Sequence, residues 1–138
     1  MRATGEFVVE AFAPLECHAV GAPQTATRAA IATMTKRYEG EVVGVSTTIF
    51  TYAMSPDDDA GGYVAMESFE GALLGRTGTF TFFHSATTSG RDRADESFVI
   101  LPSSGTGALR GIAGAGGISV ASDGSHRVWF EYRFLADE

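Results

Sequence analysis

Hydrophobic and polar positions alternate along most of this chain with a period of two. Phe7, Val9 and Ala11, then Phe80 and Phe82, then Val128, Phe130, Tyr132 and Phe134 fall on every second position. Successive side chains on a strand point to opposite faces, so this spacing turns one apolar face to a core and the other to solvent. No segment carries a sustained apolar stripe of helical period. Turn-forming clusters interrupt the alternation at 13–23, 55–62, 88–92, 102–107 and 122–124. Between them the pattern predicts eight strands, at about 2–12, 26–42, 46–54, 62–74, 79–88, 93–101, 112–120 and 125–135. A single helical turn is expected within 106–111.

Strands that follow one another without helical crossovers predict an all-β chain, an eight-stranded antiparallel, mostly up-and-down β-barrel forming one domain over 1–138. A short repeat supports curvature. Tyr38-Glu39-Gly40-Glu41-Val42-Val43-Gly44 and Phe69-Glu70-Gly71-Ala72-Leu73-Leu74-Gly75 share an aromatic, Glu, Gly, two aliphatics and Gly at the same offsets. Glycines at fixed offsets let a sheet bend where a Cβ would clash, and two matching copies suggest that it bends and turns twice in the same way. A barrel of eight strands has an interior that side chains can fill or that can hold one small ligand.

Parity assigns the inner face. A two-residue loop at Arg76-Thr77, flanked by Gly75 and Gly78, would pair Leu73 with Phe80, Gly71 with Phe82 and Phe69 with His84. That phenylalanine-rich face reads as interior, which turns Glu67 inward and diagonal to His84, at roughly 7 Å between backbones. Aligning the two copies of the repeat matches Lys36 with Glu67. If both copies turn the same face inward, Lys36 enters the barrel roughly 10 Å from Glu67, two strands away. Tyr38 and Tyr132 would supply hydroxyls, and Phe69, Phe80, Phe82 and Phe98 aromatic walls. Charges in a core are expensive unless paired. Lys36, Glu67 and His84 therefore read either as a satisfied buried network or as groups lining a cavity, where shifted titrations suit proton transfer.

Charge and composition remove several classes of function. A net charge of −7, with ten scattered Lys and Arg, opposes nucleic-acid binding and an anionic membrane surface. The single cysteine, Cys17, excludes an internal disulfide and a cysteine-rich zinc site. Cys17-His18 is no metal pair, because neighbours in extended chain point apart and no further ligand lies at metal spacing. Asp57-Asp58-Asp59 lacks the alternation of a calcium loop and reads as a hairpin tip. Gly105-Thr106-Gly107-Ala108-Leu109-Arg110-Gly111 lacks the Lys and the long helix of a phosphate loop and reads as a turn closing one barrel end. Ser85 and His84, adjacent on a strand, cannot act as nucleophile and base. His126 opens the last strand near a barrel mouth and is expected to be exposed. No leader or spanning segment is visible, so a cytoplasmic location is expected.

The aromatic-Glu-Gly elements, Gly75-Arg76-Thr77-Gly78-Thr79-Phe80, Ser104-Gly105-Thr106-Gly107-Ala108-Leu109-Arg110-Gly111 with Gly114, and the closing Glu131-Tyr132 together resemble bacterial domain-of-unknown-function family 3224. That family in turn looks like the allene oxide cyclase barrels, a calycin-type fold. Phe98 departs from the family pattern, standing where a Trp is expected.

Three functions follow as expectations. The barrel binds a small hydrophobic or amphipathic ligand among Lys36, Tyr38, Phe69, Phe80, Phe82, Phe98 and Tyr132; an acidic or hydroxylated hydrophobe would suit Lys36 and the tyrosines. Alternatively, the resemblance implies an isomerase or cyclase that needs no cofactor, with Glu67 as the electrostatic or basic group and His84 as the acid. In the third, the barrel is filled and acts through its outside, as a homo-oligomer or scaffold. No metal or cofactor is called for by any motif.

Overall fold

The computed structural model describes residues 1–17, 20–90 and 92–136. Eight strands make one antiparallel sheet: β1 (Arg2–Leu15), β2 (Arg28–Gly40), β3 (Val42–Met54), β4 (Ala60–Leu73), β5 (Arg76–Ser89), β6 (Asp92–Ile100), β7 (Ile112–Val120) and β8 (His126–Phe134). Each pairs with the next and β8 pairs back onto β1, so the sheet closes into a barrel. Closure removes the free edges that an open sheet would expose. A 3-10 turn at Gly107–Leu109 lies between β6 and β7. Among the described residues no helix is long and apolar enough to cross a membrane.

The hairpin between β4 and β5 differs from the sequence expectation. Its loop is Leu74-Gly75, not Arg76-Thr77, so Leu73 faces Arg76, Gly71 faces Gly78 and Phe69 faces Phe80. A tight two-residue hairpin matches the twist of its strands when both loop residues have positive φ. Leu74 takes φ 48° and Gly75 φ 83°. Leu74 is held there by its N–H, which donates to the Glu41 carbonyl at 3.0 Å in the neighbouring turn. The shift is four positions in pairing, so parity is unchanged and the predicted inner face is the observed one.

The repeat does not turn twice in the same way. In the first copy the chain reverses around Glu41, while in the second it continues to Leu74-Gly75. The glycines instead meet each other: Gly44 of the first copy lies opposite Gly71 of the second. A Cβ on Gly71 would stand 2.0 Å from the Val43 carbonyl oxygen, so β3 and β4 approach here as only glycine permits.

The barrel has a closed end and an open one. Val42, Leu73, Leu109 and Ile112 are fully buried at the closed end. The turn carrying Leu109 is pinned across it by the Thr79 N–H, which donates to Thr106 Oγ1 at 3.1 Å, and by the Thr106 N–H, which donates to the Thr79 carbonyl at 2.9 Å. The 105–111 segment is thus the structural plug that its composition suggested. Above it Phe80, Phe82, Phe98 and Phe130 interlock, with Phe82 stacked on Phe98 at 4.9 Å and edge-on to Phe130 at 5.2 Å. These aromatics fill the lower half of the barrel.

Candidate functional site

Above the aromatic layer sits a carboxylate with no solvent exposure. Glu67 on β4 pairs with Thr48 on β3 and Phe82 on β5, and its side chain enters the barrel axis. Oε1 accepts from Lys36 Nζ at 2.9 Å and from His84 Nε2 at 3.1 Å. Oε2 accepts from Ser46 Oγ at 2.6 Å and from the Tyr38 hydroxyl. Four donors from β2, β3 and β5 converge on two oxygens, about the full acceptor capacity of a carboxylate. Burial would raise the Glu67 pKa, but His84, the Lys36 charge, Ser46 and Tyr38 outweigh it and hold the carboxyl at about 2, against an ordinary 4.5. Burial, the Glu67 charge and the hydrogen bond to Glu67 push the Tyr38 hydroxyl well up, so it stays a donor.

His84 links this centre to the open end. Its Nδ1 lies 3.1 Å from the Tyr63 hydroxyl, which receives Arg93 Nη2 at 2.5 Å. Arg93 Nε in turn donates to Glu96 at 2.8 Å. Glu67 Oε1 can only accept, so the proton of a neutral His84 sits on Nε2. Its Nδ1 then accepts from the Tyr63 hydroxyl, whose oxygen also accepts from Arg93. Burial and the neighbouring Lys36 and Arg93 charges lower the His84 pKa despite Glu67, consistent with a neutral imidazole in that tautomer. One directed chain, Arg93 to Tyr63 to His84 to Glu67, runs from rim to core.

The network forms the floor of a cavity of about 260 Å³ that opens at the β3–β4 and β7–β8 turn end. Phe7, Met34, Phe50, Tyr52, Met54 and Ile118 supply much of its wall. Lys36, Thr48, Tyr63, His84, Arg93 and His126 supply the polar part. The Lys36 ammonium lies 4.6 Å from the centre of the Phe7 ring, a cation–π contact. Thr48 is buried and its hydroxyl has no hydrogen-bond partner among the described residues. Phe12, Phe50 and Tyr52 cluster at the rim, with Phe12 and Phe50 ring centres 5.7 Å apart. Phe12 reaches the inner side because a bulge between Val9 and Ala11 shifts the parity of β1.

The sequence candidates divide in two. Lys36 and His84 line the cavity. Glu67 and Tyr38 lie beneath it, joined to it through them. Phe69, Phe80 and Phe82 belong to the packed layer, and Tyr132 to its lower part, where its hydroxyl is buried without a partner among the described residues. Phe98 stacks on His84 at 5.5 Å and borders a side recess of about 170 Å³ beside Gly116, Gly117 and Trp129. His126 is not fully exposed as expected; it is part-buried against Phe7, with ring centres 5.1 Å apart. Ser46, Thr48, Tyr63 and Arg93 were not singled out in the sequence. Walking the β2–β3 register from Tyr38 opposite Gly44 would have placed Ser46 opposite Lys36. Cys17 is exposed, and His18 lies outside the described residues. Among the described residues no group of three or more His, Cys, Asp or Glu could hold a metal ion.

The profile of the family described as Protein of unknown function (DUF3224) matches residues 3–132, nearly the whole barrel. The chain belongs to the DUF3224 family. A solved structure of a DUF3224 protein with unknown function from Shewanella oneidensis MR-1 is similar throughout, with 29% identity, a TM-score of 0.82, and coverage of 99% of this chain and 98% of that one. No curated protein matches the chain. DUF3224 membership thus agrees with the resemblance read from the glycine motifs, and it carries the fold without assigning an activity.

Proposed function

We propose that this DUF3224 barrel binds a small, mostly apolar molecule in the open-ended cavity. The observation that carries this reading is the cavity itself: about 260 Å³, walled by aromatic and methionine side chains, with a few polar groups converging at its base. Concave, largely apolar sites with sparse polar anchors are what small-ligand pockets look like, and this one lies near the small end of their size range. Methionines such as Met34 and Met54 adapt to varied apolar shapes.

Native mass spectrometry of gently purified full-length chain, followed by solvent extraction, tests the reading. A reproducible adduct of small-molecule mass is the expected result. A clean apo mass that persists after incubation with a panel of apolar compounds would overturn it.

A second reading, an isomerase or cyclase without a cofactor, draws on the directed hydrogen-bond chain that passes through His84 to Glu67. His84 lines the cavity and shares its Nε2 proton with Glu67, so it is the group through which Glu67 would act on a ligand. Returning the extracted ligand to fresh protein and following its NMR spectrum separates the two, because only an enzyme changes it.

A further inference from the structure

The hydrogen-bonding capacity left over around the cavity specifies one end of the ligand. Glu67 already accepts four bonds, and the Tyr38 and Ser46 hydroxyls both donate to it. Both His84 nitrogens are engaged, by Glu67 and by Tyr63. What remains at the base is mostly donor capacity, from Lys36 N–H groups and the Thr48 hydroxyl, whose oxygen can also accept. Lys36 has three N–H groups and, among the described residues, one acceptor, Glu67. Thr48 Oγ1 has none. The two lie on adjacent strands one diagonal step apart, Lys36 facing Ser46 and Thr48 facing Met34, so they are roughly 7–8 Å apart between backbones and their side chains can converge on one atom.

Charge narrows the choice further. Among the described residues the charged side chains lining the cavity are Lys36 and Arg93, and each has its own carboxylate, Glu67 at 2.9 Å and Glu96 at 2.8 Å. With His84 neutral, a carboxylate ligand would bring an uncompensated negative charge into a site whose formal charges already cancel, and burying such a charge is costly. A neutral oxygen with two lone pairs brings no such cost. Polarity also falls from base to rim on one side: Thr48 is followed along β3 by Phe50 and Tyr52, which meet Phe12 at the opening.

We propose that the cavity takes its ligand polar end first, seating a neutral carbonyl oxygen between the Lys36 ammonium and the Thr48 hydroxyl while the hydrocarbon part lies against Phe50, Tyr52 and Phe12. This rests on the ligand-binding reading above and departs from the acidic or hydroxylated hydrophobe expected to suit Lys36 and the tyrosines.

Amide NMR titration of the full chain near neutral pH with 2-heptanone, heptanoate and heptane tests it. The ketone should bind at least about tenfold tighter than heptane, the difference one well-made hydrogen bond already supplies, and tighter than heptanoate, whose charge would be uncompensated. Thr48→Val should weaken 2-heptanone several-fold, leaving the Lys36 bond, while heptane is unaffected and the thermal midpoint is not lowered. Thr48→Ser, which keeps the hydroxyl, should retain the parent affinity for the ketone. Tightest binding of heptanoate, equal affinity for all three, or a Thr48→Val protein whose affinity for the ketone is unchanged would overturn the head-first carbonyl while leaving cavity binding standing. Failure of all three to shift amides around the cavity would overturn both.

Discussion

Glu67 concentrates the electrostatics of this barrel in one residue. Its carboxylate has no exposure, and Lys36, with 5% exposure, is its ionic partner. Removing either partner leaves an uncompensated charge in the core, which costs about 3–5 kcal/mol, whereas removing both leaves a neutral site. Glu67→Gln and Lys36→Met should each destabilise strongly, and the double variant should recover a large part of the loss; a cycle of urea denaturations reads the coupling. The pH dependence follows in sign from the shifts. The Glu67 pKa is lowered on folding, so its contribution is full above the unfolded value of 4.5 and is lost as pH falls towards about 2. A shift of that size corresponds to about 3 kcal/mol. The His84 pKa is also lowered, so as pH falls through 6.5 the unfolded chain takes up a proton that the folded one resists, and stability declines from there as well. Urea midpoints should therefore drop in two stages on acidification. Replacing His84 by Gln should flatten the upper stage, with part-buried His126, whose pKa burial also lowers, accounting for what remains.

At the scale of strands, the glycines divide into those that admit a neighbour and those that only permit a turn. Gly71→Ala would drive a Cβ to 2.0 Å from the Val43 oxygen and should cost about 3 kcal/mol. Gly75→Ala meets open space and bears only the left-handed conformation, about 1–2 kcal/mol. Thermal unfolding of the two variants distinguishes these origins, although the repeat spells both residues in the same motif. The weakest seam is β6–β7, which pairs at Val99–Ala115 and Ile100–Gly114. Amides of Asp92–Ser97 and Gly116–Val120 should exchange faster than those of the β3–β4 ladder, which runs from Val42–Leu73 to Met54–Gly61.

The same features explain what could be read from the chain alone. Side-chain parity is a local property with a period of two, so the inner face was legible even though the β4–β5 pairing was misplaced by four. The diagonal between Glu67 and His84 survived because such a shift carries His84 from one side of the residue opposite Glu67 to the other. Turn position was less legible, because a non-glycine, Leu74, takes a left-handed conformation that its bond to Glu41 stabilises. Tyr63 and Arg93 escaped notice because they meet His84 only once β4, β5 and β6 are assembled, with a register shift between Ser85 and Thr87 that no composition signals.

Across the whole molecule the barrel is dense at one end and hollow at the other, and the hollow end is where small side chains persist. Ala65 is the clearest case. It lines the cavity, faces Phe50 on one side and His84 on the other, and is nearly fully buried. Between two large rings a residue chosen only for stability would be larger, since each added buried methylene is worth about 0.8 kcal/mol. Ala65→Leu should therefore leave stability unchanged or raise it by about 1 kcal/mol, some of the gain being lost to imperfect packing. It should also remove the ligand adduct and the rise in thermal midpoint that a ligand specific for the folded state produces by mass action. Thermal scans of the parent and Ala65→Leu proteins, with and without 2-heptanone, give the comparison. A midpoint that rises with ketone in the parent alone ties binding to the hollow end. An equal rise in both would place the ligand elsewhere and leave Ala65 as an ordinary packing choice.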